Sequence, residues 1–307
     1  MKIARCTDGT TSFWAVVHPG DDSARPLAGA FADWAPALTA DPTATPPWGG
    51  LQRSLHSLRL LAPIEPGAKV VCAGATYAAH LERLGLKVPD EPTAFLKPYE
   101  AMIGPGDEIA YPAVTSALDY EAELVAVIGS TRVTDPANPL KNVLGYTMGN
   151  DVSARDLQFG GALTGIDLFS GKVLDHTTAV GPWIVTRDEF GDTHPDLAIG
   201  LTVNGEQRQK DRTSSMLWGT GELLAYADAR TSLHSGDIFF TGTPAGVGHE
   251  TGDYLQPRQT VAVTIEGIGT LTNTVGPSTG DNSPSAPALN PHTISRPTGS
   301  GPHRAEK

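Results

Sequence analysis

The chain has 307 residues, with 34 Asp and Glu against 22 Lys and Arg and a net charge of -12. No basic stripe is present to release counterions from phosphates, so nucleic acid and anionic membranes are excluded as partners and a small-molecule carboxylate is expected instead. Two cysteines, Cys6 and Cys72, make no disulfide framework, and no charged-then-apolar leader or long apolar run is present, which fits a soluble cytoplasmic enzyme.

Glycine (34) and proline (25) are frequent and long helical periods are few, so the expected class is α+β and β-rich. Residues 2–17 read as two strands around Asp8-Gly9, a hairpin signal. A short helix is predicted over 26–38, followed by the proline- and glycine-rich connection ADPTATPPWGG. A boundary near residue 66 divides a small N-terminal β-rich domain, 1–66, from a catalytic domain, 67–275. From residue 69 the chain reads strand, turn, short helix, proline break, strand. Tyr77, His80 and Glu82 fall on or near that glycine-flanked helix, which has the form of a lid, and Lys97 on the strand after it. Taken alone, His80 is a surface helix histidine and Lys97 a snorkelling strand-end lysine.

The stretch 119–158 carries the densest chemistry. In LDYEAELVAVIG, Glu121 and Glu123 stand two apart, so on a strand they share one face while Tyr120, Ala122, Leu124, Ala126 and Ile128 fill the other. Two carboxylates that close repel unless a cation lies between them, and a hard divalent ion with oxygen ligands meets that need. Asp151, in GYTMGNDVSARDLQ, is the candidate third ligand. The plain alternative is a solvated edge strand with Asp151 capping a helix. Arg155 and Gln158 follow on a helical turn, where Asp151 or Asp156 is the ordinary ion-pair partner for Arg155. Lys172, after a glycine-rich loop, either brings positive charge to the carboxylates or solvates a turn.

Residues 197–208 form a predicted hairpin at Asn204-Gly205, and the helical spacing of 214–230 reads as core. Gly242, Gly246 and Gly248 lack the strand–loop–helix context of a nucleotide site; they are expected to let backbone amides approach a substrate carboxylate, with Thr243 adding a hydroxyl. From residue 276 the chain holds too few large apolar residues to build a core, so 276–307 is read as a disordered tail.

Laid out in this order, DYEAEL, GYT, NDVSARD, GPW and TGTPAGVG make the chain resemble the fumarylacetoacetate hydrolase family from about residue 69 to 275, and within it the bacterial 2-hydroxyhepta-2,4-diene-1,7-dioate isomerases and acylpyruvate hydrolases. The resemblance implies a mixed β-roll, a homodimer, and Mg2+ or Mn2+ on Glu121, Glu123 and Asp151. It implies that Lys172 supports the metal site and that Lys97, Arg155, Gln158 and Thr243 face the substrate; Tyr77 is a further candidate substrate contact, and His80, Glu82 and Lys172 are the candidate catalytic residues. The expected activity is metal-dependent, on a small 2-oxo, 2-hydroxy-dienoic or acylpyruvate-type acid held as a chelated enolate, ending in isomerisation, tautomerisation, decarboxylation or C–C hydrolysis. The rival is a non-catalytic, metal-stabilised ligand-binding homologue. In the family's hydrolases the lid histidine is paired with a glutamate three residues later. Position 83 is Arg83 here, and Glu82 is off the His80 face. The sequence therefore predicts a poorly oriented His80, slow hydrolysis, and a gain of hydrolysis on Arg83→Glu.

Overall fold

The computed structural model describes residues 1–131, 138–160 and 165–278. Its strands begin with β1 Lys2–Thr7, β2 Ser12–His18, β3 Ser23–Pro26, β4 Arg53–Ser54, β5 Arg59–Leu61, β6 Val70–Gly74, β7 Thr93–Lys97, β8 Met102–Ile103, β9 Glu108–Tyr111 and β10 Leu118–Asp119. They continue with β11 Ala122–Ile128, β12 Val143–Asn150, β13 Ser153–Ala154, β14 Thr178–Thr186, β15 Ala198–Val203, β16 Glu206–Arg212, β17 Ile238–Phe240, β18 Thr260–Ile265 and β19 Gly269–Ser278. The helices are short: α1 Phe31–Ala40, α2 Ala78–Arg83, α3 Arg155–Gln158, α4 Leu168–Lys172, α5 Thr220–Asp228 and α6 Gly248–Thr251. This is the β-rich α+β class that the composition predicts. No described helix is long and apolar enough to cross a membrane.

Twelve strands make one mixed sheet, in the order β4-β3-β2-β1-β14-β12-β11-β17-β6-β7 with β5 on β1 and β8 on β14. A second sheet runs β16-β15-β18-β19-β9. The hairpin at Asp8-Gly9 forms because the Asp8 carboxylate accepts from the Thr10 and Thr11 amides, both at 3.0 Å. The first helix begins later than predicted. Pro26 stays in β3, opposite Ala15, and α1 starts at Phe31, where Asp33 reaches back to the Ala30 amide at 2.8 Å.

β11 explains how the two sheets share one chain. It is buried along its whole length, with β12 on one side and β17 on the other, so it is a central strand and not an edge. Its two faces feed different cores, as a period of two requires. Tyr120, Ala122, Leu124, Ala126 and Ile128 pack with α5 and the second sheet, while Val125 and Val127 pack with α1, Trp14 and β14. The N-terminal strands extend the main sheet directly, through the antiparallel pairing of Ile3 with Ile184.

The expected tail begins inside β19, which pairs Ser278 with Tyr111. Residues 279–307 lie outside the described residues, as do 161–164 of the loop that follows α3.

Candidate active site

The antiparallel register of β11 and β12 sets Ala122 opposite Asn150, so the residue that leaves β12, Asp151, meets the residues that enter β11. The Asp151 amide donates to the Glu121 carbonyl at 2.9 Å. Glu121, Glu123 and Asp151 thereby offer carboxylate oxygens that all lie within 4.8 Å of one another. Glu121 is 6% and Glu123 1% exposed, which overturns the solvated-edge alternative.

Three cations hold this cluster. Lys172, at the end of α4, donates to Glu121 Oε2 at 2.7 Å and to Asp151 Oδ2 at 2.8 Å. Lys97, at the end of β7, donates to Asp151 Oδ1, to the Val152 carbonyl at 3.0 Å and to Thr178 Oγ1 at 2.6 Å. Arg155 does not pair with Asp151 or Asp156. Its Nη2 donates to Glu121 Oε1, its Nε to Asp119 Oδ2 at 2.7 Å and its Nη1 to Gln158 Oε1 at 2.9 Å. Asp156 instead accepts from Thr115 and Ser116.

The environments push the two strand carboxyls apart. Burial works to raise Glu121, but the charges of Lys172 and Arg155 outweigh it and hold the carboxyl well below the usual range. Glu123 is raised well above that range, by burial first and then by Asp151 and Glu121. The Gly242 amide, 2.6 Å from Glu123 Oε2, only partly offsets this. Burial lowers Lys172, yet Asp151 and Glu121 hold its ammonium well above its usual range.

Among the described residues, four buried carboxylates, Asp119 included, face three cations, so with all four ionised one negative charge is left over. An all-oxygen donor set with a carboxyl forced toward its protonated form suits a divalent cation. The three residues fit such an ion.

The lid region answers the question left by Arg83. His80 Nδ1 lies 2.7 Å from Glu250 Oε1, a contact spanning 170 residues. Glu250 stands on α6, and its other oxygen accepts from the Gly246 amide at 2.8 Å and from Arg83 Nη1 at 3.1 Å. Glu82 is exposed on α2, and the carboxylate on His80 is Glu250. The expectation of a poorly oriented His80 fails because helical spacing speaks only of partners on the same helix. Burial works to raise Glu250, but the His80 hydrogen bond and the Gly246 amide outweigh it and keep it an anion.

The glycine loop after β17 also differs from expectation. Its amides meet protein carboxylates: Gly242 donates to Glu123, Gly246 to Glu250, and Gly248 to Asp119 at 2.6 Å. Gly242 has φ +95, and a Cβ there lies 1.9 Å from Thr76 Oγ1, so no other residue brings its amide to that place without strain.

A cavity of about 360 Å³ opens onto this cluster. Its polar lining includes His80, Glu121, Glu123, Arg155, Gln158, Lys172 and Thr243. Lys97 is outside the lining and supports Asp151 from behind. Tyr77 is fully buried outside the lining too, and its hydroxyl meets no hydrogen-bond partner among the described residues. Thr243 lines the cavity, while its hydroxyl donates to the Ala122 carbonyl at 3.0 Å and accepts from Gln209 at 2.8 Å. Sequence reasoning missed two residues of the assembly. Asp119 stands in the same two-residue series as Glu121 and Glu123, which is a legible signal, whereas nothing local points to Glu250.

A family model described as fumarylacetoacetate hydrolase, C-terminal, matches residues 69–276. The mitochondrial oxaloacetate tautomerase FAHD2A of Bos taurus is 38% identical over 218 residues, 70% of this chain and 68% of that one. The structure of a 5-carboxymethyl-2-hydroxymuconate delta-isomerase from Mycobacterium smegmatis is similar with a TM-score of 0.73 at 35% identity, covering 90% of this chain and 99% of the other. Fumarylpyruvate hydrolase from Pseudomonas aeruginosa, in complex with Mn2+ and pyruvate, gives 0.63 at 32% identity, over 71% and 91%.

Proposed function

This chain belongs to the fumarylacetoacetate hydrolase family and is an enzyme of it, and on that premise we propose that it moves a proton at the carbon beside the carbonyl of a small 2-oxo acid, interconverting enol and keto forms. The observation that carries this reading is that His80, Glu121 and Glu123 line one cavity, with His80 oriented by Glu250. Glu121, Glu123 and Asp151 would hold Mg2+ or Mn2+, which when bound would supply Lewis-acid polarisation of the substrate's carbonyl oxygen.

The remaining roles belong to the chain. The Glu250 anion accepts a hydrogen bond from a proton-bearing Nδ1 of His80, so in neutral imidazole Nε2 is the basic nitrogen that exchanges the proton. Arg83 and the Gly246 amide hold Glu250 in that orientation. An arginine only donates, so Gln158 must turn its oxygen to Arg155 and keeps its amide nitrogen as a donor for the substrate. The one surplus negative charge of the cluster becomes one positive charge once a dication is added, and a single substrate carboxylate balances it.

C–C hydrolysis of an acylpyruvate is the second reading, favoured by the same His80–Glu250 pair, since an oriented imidazole also activates water. The test follows enol loss from phenylpyruvate, a 2-oxo acid with one carboxylate, and pyruvate release from acetylpyruvate, each with Mg2+, with chelator, and in His80→Ala. Metal-dependent enol loss that disappears in His80→Ala supports the first reading, and pyruvate release with that dependence supports the second. Enol loss indifferent to both chelator and His80→Ala overturns the assignment of the site.

A further inference from the structure

Much of the cavity wall is apolar. Besides the residues already assigned, it is lined by Leu81, Leu84 and Leu86 from α2 and the turn after it, by Phe95 of β7, and by Phe159 and Ile166. Leu86 is 56%, Ile166 51% and Phe159 39% exposed, so a band of large apolar side chains leads from the carboxylate cluster to the surface. Isolated exposed apolar residues mean little, but several around the mouth of one cavity that ends in a charged cluster mark a ligand of matching polarity.

The cations give the same answer. Arg155 and Lys172 are the Lys and Arg residues among the described lining, and both are held by protein carboxylates. Arg83, beyond the lining, is engaged by Glu250. A second carboxylate at the far end of a substrate has no lining cation to meet among the described residues and loses hydration against leucine and phenylalanine.

We propose that the substrate is a 2-oxo acid with one carboxylate and an uncharged alkyl or aryl distal end, which lies against Leu81, Leu84, Leu86, Phe95, Phe159 and Ile166. The inference rests on the 2-oxo acid reading of the site and adds the selection at its far end. Each methylene moved from water onto this wall strengthens binding roughly fourfold.

The test is titration calorimetry on the full chain in saturating Mg2+. The ligands are the series from 2-oxobutanoate to 2-oxooctanoate, and 2-oxoadipate beside 2-oxohexanoate, its match in length. Affinity is expected to climb with chain length, with 2-oxoadipate at least about tenfold weaker than 2-oxohexanoate. Leu86→Lys, an exposed change that folding tolerates, is expected to narrow that difference by favouring 2-oxoadipate. A flat series, or 2-oxoadipate binding as tightly as 2-oxohexanoate, overturns the apolar end and leaves the 2-oxo acid reading in place. If no member of either kind binds, the 2-oxo acid reading falls, and this inference with it.

Discussion

Glu250 changes the meaning of its neighbours. Arg83 looks like the loss of a carboxylate when read along α2, yet across the fold it is a clamp on the carboxylate that His80 uses. The expected effect of Arg83→Glu therefore reverses: it sets a like charge against Glu250 and should lower activity rather than raise hydrolysis. Glu250→Gln should leave the fold in place and reduce kcat, with about 10²–10⁴, the range of a lost general base, as the upper limit because His80 itself remains, and with a smaller change in KM. Steady-state kinetics with a thermal melt of each variant checks both; full activity in Glu250→Gln removes the pair from the mechanism. At Glu123 the prediction is one of pH. Burial first, then Asp151 and Glu121, make this carboxyl bind its proton more tightly in the fold than in the unfolded chain, so it contributes stability at low pH that is lost as pH rises through the folded value. A cation competes with that proton, so the rise in melting temperature on adding Mg2+ should grow as pH rises from the acid side toward neutral. Glu121→Ala or Glu123→Ala should abolish the rise. A pH-independent rise, or one that survives either change, puts the ion elsewhere.

At the scale of elements, the short α6 and the glycine loop before it tie the lid to the carboxylate strand. Asp119 accepts from the Gly248 and His249 amides at the start of α6 and from Arg155 Nε. Arg155 in turn holds Glu121, so one fully buried carboxylate connects the element that carries Glu250 with the carboxylate strand. Removing one partner of a buried ion pair strands the other charge, and Asp119→Ala should cost about 3–5 kcal/mol in urea unfolding. It should also reduce activity by more than the lost stability explains. A change below about 1 kcal/mol, the size of an exposed pair, is the result that refutes this role.

For the whole molecule, the pairing of β1 with β14 makes one sheet of strands from both sides of residue 66, and Ile3, Trp14 and Trp34 pack in one core with Val125, Val127 and Phe240. We propose that 1–66 and 67–275 unfold together despite the change in sequence character between them. Chemical unfolding followed by tryptophan fluorescence and by far-ultraviolet circular dichroism should give one coincident transition, and a truncated chain lacking 1–66 should not fold. Two separate transitions would establish an autonomous N-terminal unit. Truncation after Ser278 should leave activity and melting temperature nearly unchanged, because the sequence beyond it holds almost no large apolar residue to bury.

What the sequence by itself determined is what neighbours along the chain decide. Alternation at period two was enough to set Glu121, which enters β11, on the same side as Glu123 and the strand's alanines and leucine on the other, and turn chemistry was enough to find the hairpin at Asp8-Gly9. The clustering of the acidic residues in 119–151 was likewise legible, because an antiparallel strand pair places the end of its second strand beside the start of its first. Only the tertiary structure decided which partners those residues take. Lys97 faces Asp151 and not the cavity, the glycine amides meet Glu123, Glu250 and Asp119, and His80 finds its carboxylate on α6. Each of these contacts is fixed by packing between distant segments, and neither the period of a strand nor the spacing of a helix carries information about a side chain 170 residues away.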